Sequence, residues 1–237
     1  MDRLLFKAKL VAMSIHLLCS LVLVLIGLAV LSMWYPAWLF SSDGGLKVFW
    51  MLLGIDMVLG PLMTFVLYNP SKSIKERVLD LSIVAILQLS AFGYGMHLAW
   101  QQRPQALVYV DNAVVSCPHQ WFVLANKQPP TTDVLDLQTL TLHPTPADIG
   151  DRFMLALNTG VGECVFTAQY QPLAEAKTVI AAQHADLLKQ LPPDEQRQMK
   201  SNQVLVPFEG RYQSLILVMD ADLKTVLASH KYLKKPE

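Results

Sequence analysis

The chain of 237 residues is 53% hydrophobic and only 16% charged, whereas soluble proteins average about 25% charged residues. Its 19 basic and 19 acidic residues give a formal net charge of zero, so it lacks the basic surplus that nucleic-acid binding requires. We therefore expect no nucleic-acid partner. Residues 1–103 hold only 5 of the 19 acids, and this uneven distribution predicts a membrane part, in contact with the lipid bilayer, followed by a soluble part.

Three apolar stretches in the first part are long enough to cross a bilayer. They cover residues 10–33, 48–68 and 81–100, and Asp56 is their only charged residue. A hydrocarbon core of about 30 Å needs roughly 20 helical residues, and a chain of this length could hardly bury three such runs in a soluble core. The first stretch runs into Trp34-Tyr35-Pro36 and not into a small-residue cleavage site, so we expect an uncleaved signal anchor. Residues 1–103 are therefore predicted to be a three-span transmembrane domain.

The basic residues predict how these spans are oriented. Cytoplasmic segments carry an excess of Lys and Arg, and six basic residues precede the first span or lie between the second and third, against two on the other side. Aromatic side chains at the outer boundary are expected to act as interface anchors. We predict a multi-pass protein of the bacterial inner membrane with a cytoplasmic N-terminus and residues 104–237 in the periplasm. The six bases are Arg3, Lys7, Lys9, Lys72, Lys75 and Arg77, the two are Lys47 and Arg103, and the aromatic residues are Trp34, Tyr35, Trp38, Trp50 and Trp100.

The exported part, residues 104–237, is predicted to be a small α+β domain with an antiparallel sheet. Asp111-Asn112 indicates a hairpin between apolar strands, and residues 220–224 indicate another. Further strands are predicted at 121–124, 153–157 and 163–167, with a loop over 126–150. Pro172 is predicted to open a helix. Its apolar stripe is formed by Leu173, Ala176, Ile180, His184, Leu187 and Leu191.

Cys117 and Cys164 both fall in the exported part. An oxidising periplasm would let them form a structural disulfide. The alternatives are a redox site or a metal site with His119, but the chain has no Cys-x-x-Cys motif and one Cys-x-His with a distant cysteine is a weak zinc signal. Cys19, in the first span, can serve as a small apolar residue. We expect a disulfide, with no metal and no cofactor.

Asp56 lies about ten residues into the second stretch, near the middle of the bilayer. A carboxylate at that depth costs several kcal/mol unless it is paired, protonated or next to a cavity. Gln88 lies at a similar depth in the third span and is the predicted partner, and His16 is the less favoured one. Asp56 and Gln88 could hold the bundle together, bind a polar group of another transmembrane helix, or form part of a proton or ion pathway. Binding a partner is favoured, because intramembrane acids are functional candidates by default.

Glycine and proline residues surround this acid. Gly54 and Gly60 offer flat surfaces for close helix contact. Pro61 should free a backbone carbonyl one turn earlier, around Met57. Together with Asp56 and Gln88, these residues form the predicted intramembrane binding site for a partner.

The string Gly54-x-Asp56-x-x-x-Gly60-Pro61, followed by Asn69-Pro70, resembles the TfpX/TfpZ type of type IV pilin accessory protein. The resemblance covers about the first 115 residues and includes Trp34-Tyr35-Pro36, Leu39-Phe40, Lys72, Asp80-Leu81, Gln88-Leu89, Tyr94-Gly95 and Arg103-Pro104. Trp38 departs from the family pattern, where a proline is expected. The final hairpin with Arg211 matches better than residues 116–210.

This resemblance implies a non-enzymatic factor that supports pilin stability, pilus assembly or pilus dynamics, including twitching motility. Its partner would be the major type IV pilin, through the pilin's transmembrane helix and its globular head, with Asp56 and Gln88 contacting the polar end of the pilin helix. No nucleophile elbow, zinc-protease or phosphate-loop motif is present. The alternatives are a membrane-tethered periplasmic thiol oxidoreductase using Cys117 and Cys164, and a ligand-sensing membrane protein.

Overall fold

A computed structural model of the protein describes residues 3–232. The chain divides into two compact units. The helical unit consists of residues 3–34 and 45–100. The sheet unit consists of residues 35–44 and 101–232, so the segment between the first two long helices belongs to the sheet unit.

The elements follow one another in a simple order, with three long helical segments and one short helix first and a mixed α and β region afterwards. The helices are α1 (Arg3–Trp34), α2 (Leu39–Ser42), α3 (Gly45–Gly54), α4 (Gly60–Leu67), α5 (Ile74–Gln102), α6 (His119–Leu124), α7 (Pro146–Thr159), α8 (Lys177–Lys189) and α9 (Pro193–Gln198). The strands are β1 (Pro104–Val110), β2 (Ala113–Pro118), β3 (Gln138–Leu140), β4 (Tyr170–Pro172), β5 (Gln203–Glu209), β6 (Ser214–Asp220) and β7 (Val226–Lys231). A π-helical turn, Ile55–Leu59, joins α3 to α4.

The helical unit contains helices that are long and apolar enough to cross a membrane. They are Arg3–Trp34, Gly45–Leu67 and Ile74–Gln102, and the second combines α3, the π turn and α4. The predicted spans 10–33 and 81–100 lie inside the first and third, and 48–68 ends one residue past the second. Large apolar side chains such as Leu18 and Leu87 are exposed on this unit, as expected of helices surrounded by lipid.

The sheet unit is built on a mixed sheet of seven strands in the order β4-β3-β1-β2-β5-β6-β7. Four neighbouring pairs are antiparallel, but β1 pairs with β3 and β2 pairs with β5 in parallel. The prediction of an antiparallel sheet is therefore wrong. Hairpins show in the sequence because their turns are local, whereas parallel neighbours are joined by long crossovers that leave no local signal.

Both predicted hairpins are confirmed. Asp111 and Asn112 connect β1 to β2 with φ values of +48° and +70°, the left-handed turn conformation that Asp and Asn tolerate best. The last hairpin joins β6 to β7 across residues 221–225. The helix predicted to open at Pro172 begins at Lys177, after a 3₁₀ turn over Leu173–Ala176.

Three predicted strands are not strands. Residues 121–124 lie in α6, residues 153–157 lie in α7, and a 3₁₀ turn covers Glu163–Val165. Residues 126–150, predicted to be a loop, also hold β3 and the start of α7. Short apolar runs fit a strand or a buried helix equally well. The start of α7 is set by a capping box in which Thr145 and Asp148 bond each other's backbone N–H groups, with Pro146 at the first helical position.

Alternate residues of β1 point to opposite faces of the sheet. Leu107 and Tyr109 join the core that α8 covers, together with Ile180 and Phe208. Ala106 and Val108 join the opposite core, which contains the two cysteines of the sheet unit, Cys117 and Cys164, and also Phe122 and Leu140.

The 35–44 segment packs into the first of these cores. Leu39 is fully buried there, and the Trp38 ring contacts Phe208 edge to face at 4.5 Å. Tyr35 is also buried. Tyr35 and Trp38, predicted as interface anchors, therefore contact protein through their rings, while Trp34 and Trp100 pair with each other in the helical unit at 5.2 Å.

Candidate functional site

The π turn changes which backbone carbonyl at the predicted site lacks a helical hydrogen bond. The Gly60 N–H donates to the Ile55 carbonyl, five residues back. In the same register the next donor would be residue 61 to the carbonyl of Asp56, but Pro61 has no N–H. The wider turn thus leaves the Asp56 carbonyl without its helical donor, one residue before the position near Met57 predicted from an ordinary α-helix. Such π turns occur frequently at functional sites.

Gln88 of α5 replaces the missing donor. Its Nε2 donates to the Asp56 carbonyl oxygen at 3.5 Å. Gly60 makes this approach possible, because a Cβ on residue 60 would lie 1.9 Å from Gln88 Nε2. Gly54 has no such neighbour: apart from its chain neighbours and its own helix backbone, no atom of residues 3–232 lies within 4 Å of the place its Cβ would take.

His16 of α1 and Thr64 of α4 extend this contact into a hydrogen-bonded chain. His16 Nε2 lies 2.6 Å from Gln88 Oε1, and Thr64 Oγ1 lies 2.8 Å from His16 Nδ1. An amide oxygen can only accept, so His16 Nε2–H donates to Gln88, and the second ring nitrogen bonds the Thr64 hydroxyl. The hydrogen-bonded chain therefore links Thr64, His16 and Gln88 to the Asp56 backbone.

His16 is the less favoured partner in the sequence prediction, and Thr64 is not part of the predicted site. A signal for Thr64 was present, because it follows Gly60 by four residues and Asp56 by eight. That spacing places all three on one face of a helix. The network thus links the three long helices of the helical unit through side chains.

The Asp56 carboxylate is not part of this network. The residue is 0% exposed, and neither carboxylate oxygen accepts a hydrogen bond from the part of the chain that the structure describes. The contact between Asp56 and Gln88 is made by the Asp56 backbone, whereas pairing through the side chain was predicted. A buried carboxylate without a hydrogen-bond partner costs several kcal/mol, so this side chain is not explained by the contacts of the helical unit.

An open groove of about 770 Å³ lies beside the network, and we call it the α1–α5 groove. It is mostly apolar, and its lining includes Ile15, Cys19 and Ser20 of α1, Thr64 of α4, and Leu89 of α5. His16 and Gln88 also line it, so the hydrogen-bonded chain forms a polar patch on its wall. Asp56 is not among the lining residues.

Cys117 and Cys164 form a disulfide with a Cα–Cα distance of 5.9 Å, within the usual range. Both residues are fully buried. Burial and the nearby Arg103 charge hold the pKa of His119 below its usual value, so its imidazole is neutral at pH 7. Within residues 3–232, no group of three or more His, Cys, Asp or Glu side chains is placed to hold a metal ion.

The sheet unit contains a second buried acid, Asp43, which sequence analysis did not single out. Ser116 Oγ lies 2.7 Å from both Asp43 carboxylate oxygens, and the Arg211 backbone N–H donates to Oδ1 at 3.2 Å. Burial raises the pKa of the Asp43 carboxyl, while the Ser116 hydrogen bond and the Arg211 charge act in the opposite direction. Asp43 is thus a buried acid with satisfied hydrogen bonds.

Ser42 and Gly44, on either side of Asp43, contact the turn between β5 and β6 that also contains Arg211. The Ser42 carbonyl accepts from the Tyr212 and Gln213 N–H groups at 3.0 and 3.2 Å. Gly44 has a φ of +118°, and a Cβ there would lie 2.7 Å from the Tyr212 ring. Only glycine fits that conformation and that space. The 35–44 segment is therefore fixed to the turn between β5 and β6.

Comparison with models of known protein families gives no match, and no solved structure matches the chain. Three curated proteins of Dichelobacter nodosus are similar to it. The fimbrial assembly protein of serogroup I is 43% identical over 109 residues, and that of serogroup E1 is 44% identical over 110 residues. Each match covers 46% of this chain and 42% of the relative, so the chain spans about two fifths of the length of these two relatives.

The third relative is matched over most of its length. It is the fimbrial assembly protein of serogroups C1 and C2, which is 43% identical over 109 residues, 46% of this chain and 82% of the relative. At that identity and coverage, the chain belongs to the family of these fimbrial assembly proteins.

Proposed function

We propose that this protein is a non-enzymatic accessory factor of type IV pilus biogenesis, of the TfpX/TfpZ type, that binds the major pilin while the pilin is still in the inner membrane. The observation that carries the proposal is the similarity to fimbrial assembly proteins. The factor would support pilin stability, pilus assembly or pilus dynamics.

The proposed topology places the N-terminus in the cytoplasm and the sheet unit in the periplasm. The excess of basic residues before α1 and between α4 and α5 supports this orientation. The disulfide between Cys117 and Cys164 supports it independently, since such bonds persist in oxidising compartments. The sheet unit would then be available to the pilin head and the helical unit to the pilin transmembrane helix.

Asp56 supports a role in binding over a role in holding the bundle together. Its carboxylate makes no hydrogen bond to any of residues 3–232, so the side chain does not link the helices by that means. The link is made by the Asp56 carbonyl, a group that any residue has. An acid kept at that depth is better explained by a partner that presents a donor to it.

The thiol-oxidoreductase alternative has less support. Reactive cysteines lie in partly exposed, electropositive surroundings, whereas Cys117 and Cys164 are buried in a core with Phe122 and Val165. Oxidoreductase chemistry would require this core to open.

An affinity pull-down from crosslinked native inner membranes, read by mass spectrometry, tests the proposal. Wild type, Asp56→Ala and Asp80→Ala are compared, since Asp80 is an acid of α5 that pairs with Lys72 and serves as the matched control. We expect the major pilin with wild type and Asp80→Ala and its loss with Asp56→Ala. Capture by all three variants would keep the function but move recognition away from Asp56. Absence of pilin with wild type contradicts the proposal.

A further inference from the structure

The α1–α5 groove is elongated along the helices. On α1 its lining residues run from Ala8 to Leu23, a length of about 22 Å at 1.5 Å per residue. His16 lies at the middle of that run. The groove therefore suits an extended occupant parallel to the helices, either a lipid chain or a transmembrane helix.

The polar patch on the wall decides between these two occupants. Gln88 Nε2 has a second N–H beyond the one that bonds the Asp56 carbonyl, and the Thr64 oxygen can accept as well as donate. An acyl chain would leave these groups unmatched, whereas a helix can bring a polar side chain to their depth. Helix association in bilayers uses such side-chain hydrogen bonds.

The charge of the patch indicates which side chain fits. Of the groove-lining residues that the structure describes, His16 is the only base and none is an acid. A carboxylate on the occupant would therefore meet a base and no like charge in the groove, and the second N–H of Gln88 can donate to it.

We infer that the α1–α5 groove binds the transmembrane helix of the fimbrial subunit, that is, of the major pilin, and that His16 recognises an acidic side chain on that helix. The inference rests on the proposed function and adds to it the surface and the chemistry of recognition. Asp56 does not line the groove. Substitution of Asp56 therefore tests the proposed function, and changes in the groove test this inference.

Site-specific photocrosslinking tests the surface in cells that make the full-length protein and its fimbrial subunit. A benzoylphenylalanine is placed at Ile15 or Leu89 in the groove, and at Leu18 or Leu87, which belong to the same helices but not to the groove lining. The four side chains are 59%, 57%, 64% and 64% exposed, so accessibility is matched. We expect subunit adducts from Ile15 and Leu89 at yields at least roughly tenfold above those from Leu18 and Leu87, as for a helix seated on one face.

Equal yields from the groove positions, Ile15 and Leu89, and the control positions, Leu18 and Leu87, would overturn the inference. Adducts with lipid alone in the groove would overturn it as well. If the pull-down still captures the subunit in that case, the proposed function stands and only the groove is excluded. If the pull-down does not capture the subunit with the wild-type protein, both the proposed function and this inference are contradicted.

The role of His16 is tested by His16→Gln, with His97→Gln in α5 as the matched control. Gln keeps a hydrogen-bonding side chain at this position but removes the basic nitrogen. We expect the Ile15 adduct to fall roughly tenfold with His16→Gln, as for loss of a charge-assisted hydrogen bond, and to be unchanged with His97→Gln. Neutralising the acid in the subunit helix should remove the difference between wild type and His16→Gln. A subunit helix without an acid, or an unchanged adduct with His16→Gln, contradicts acid recognition.

Discussion

The two units of this protein each bury an aspartate completely, but they treat it in opposite ways. In the sheet unit, Asp43 accepts from the Ser116 hydroxyl and from the Arg211 N–H. In the helical unit, the Asp56 carboxylate accepts from no residue between 3 and 232. The backbone explains the difference. Loop N–H groups in the sheet unit are available to a side chain, whereas N–H groups inside a helix are already used by the helix. A buried acid among helices can thus be satisfied only by a side chain or by another molecule.

The largest expected effect concerns the covalent link in the sheet unit. Replacing Cys117 and Cys164 by Ser should lower the free energy of unfolding by about 4 kcal/mol, because the bond closes a loop with a sequence separation of 47. Urea unfolding in detergent micelles, followed by near-ultraviolet circular dichroism, measures this loss. The chain has three cysteines, so thiol titration of the denatured protein should give one thiol before reduction and three after. Three thiols before reduction would contradict the disulfide.

Asp43→Ala should have the next largest effect on stability. It leaves the Ser116 hydroxyl and the Arg211 N–H buried without their acceptor, at a cost of about 3 kcal/mol in the free energy of unfolding. The same urea experiment measures the change. Asp222→Ala, at an exposed acid, is the control and should change it by less than about 0.5 kcal/mol. Equal effects of the two substitutions would show that Asp43 is not a structural acid.

The pH dependence of the unfolding free energy is a second test of the role of Asp43. Burial raises the pKa of the Asp43 carboxyl above its ordinary value of 3.8, so the folded protein binds this proton more tightly than the unfolded chain. Between 3.8 and the raised value, the stability of wild type relative to Asp43→Asn should increase as the pH falls and be lost as the pH rises. Unfolding midpoints of both proteins across that range test the sign. A constant difference would mean that the Asp43 pKa is not shifted.

In the helical unit, Gly60→Ala should destabilise by about 2 kcal/mol, since the new methyl displaces the Gln88 amide and uncovers the Asp56 carbonyl. Gly54→Ala is the matched control. Apart from its chain neighbours and its own helix backbone, the new methyl meets no described atom within 4 Å, so the variant should be neutral or stabilising by up to about 1 kcal/mol. Thermal unfolding in detergent micelles compares the two variants. Equal effects would contradict the proposed contact between Gly60 and Gln88.

The smallest effect on stability is expected at Asp56 itself. Asp56→Asn replaces a buried carboxyl group that has no hydrogen-bond partner among the described residues, so the free energy of unfolding should stay within about 0.5 kcal/mol or rise. The same variant should lose capture of the pilin. A marked loss of stability would mean that Asp56 is as structural as Asp43 and would remove the contrast between the units.

The sequence by itself determined the features that depend on neighbours along the chain. The three long helices follow from apolar length, and the hairpin at Asp111-Asn112 follows from the backbone angles that these residues tolerate. The acid in the second apolar stretch, Asp56, and the glycine and proline residues around it also follow from the residue pattern. Each of these is a local property, for which the neighbouring residues suffice.

The tertiary structure alone decided which groups meet. The π turn moved the freed carbonyl to Asp56, which gave Gln88 a backbone acceptor and left the buried carboxylate without a hydrogen bond from the described residues. Thr64, the parallel pairing of β2 with β5, and the folding of residues 35–44 into the sheet unit likewise join parts of the chain that are distant in sequence. Hydrogen-bond partners across elements depend on a few tenths of an ångström in packing, and no residue pattern specifies distances at that scale.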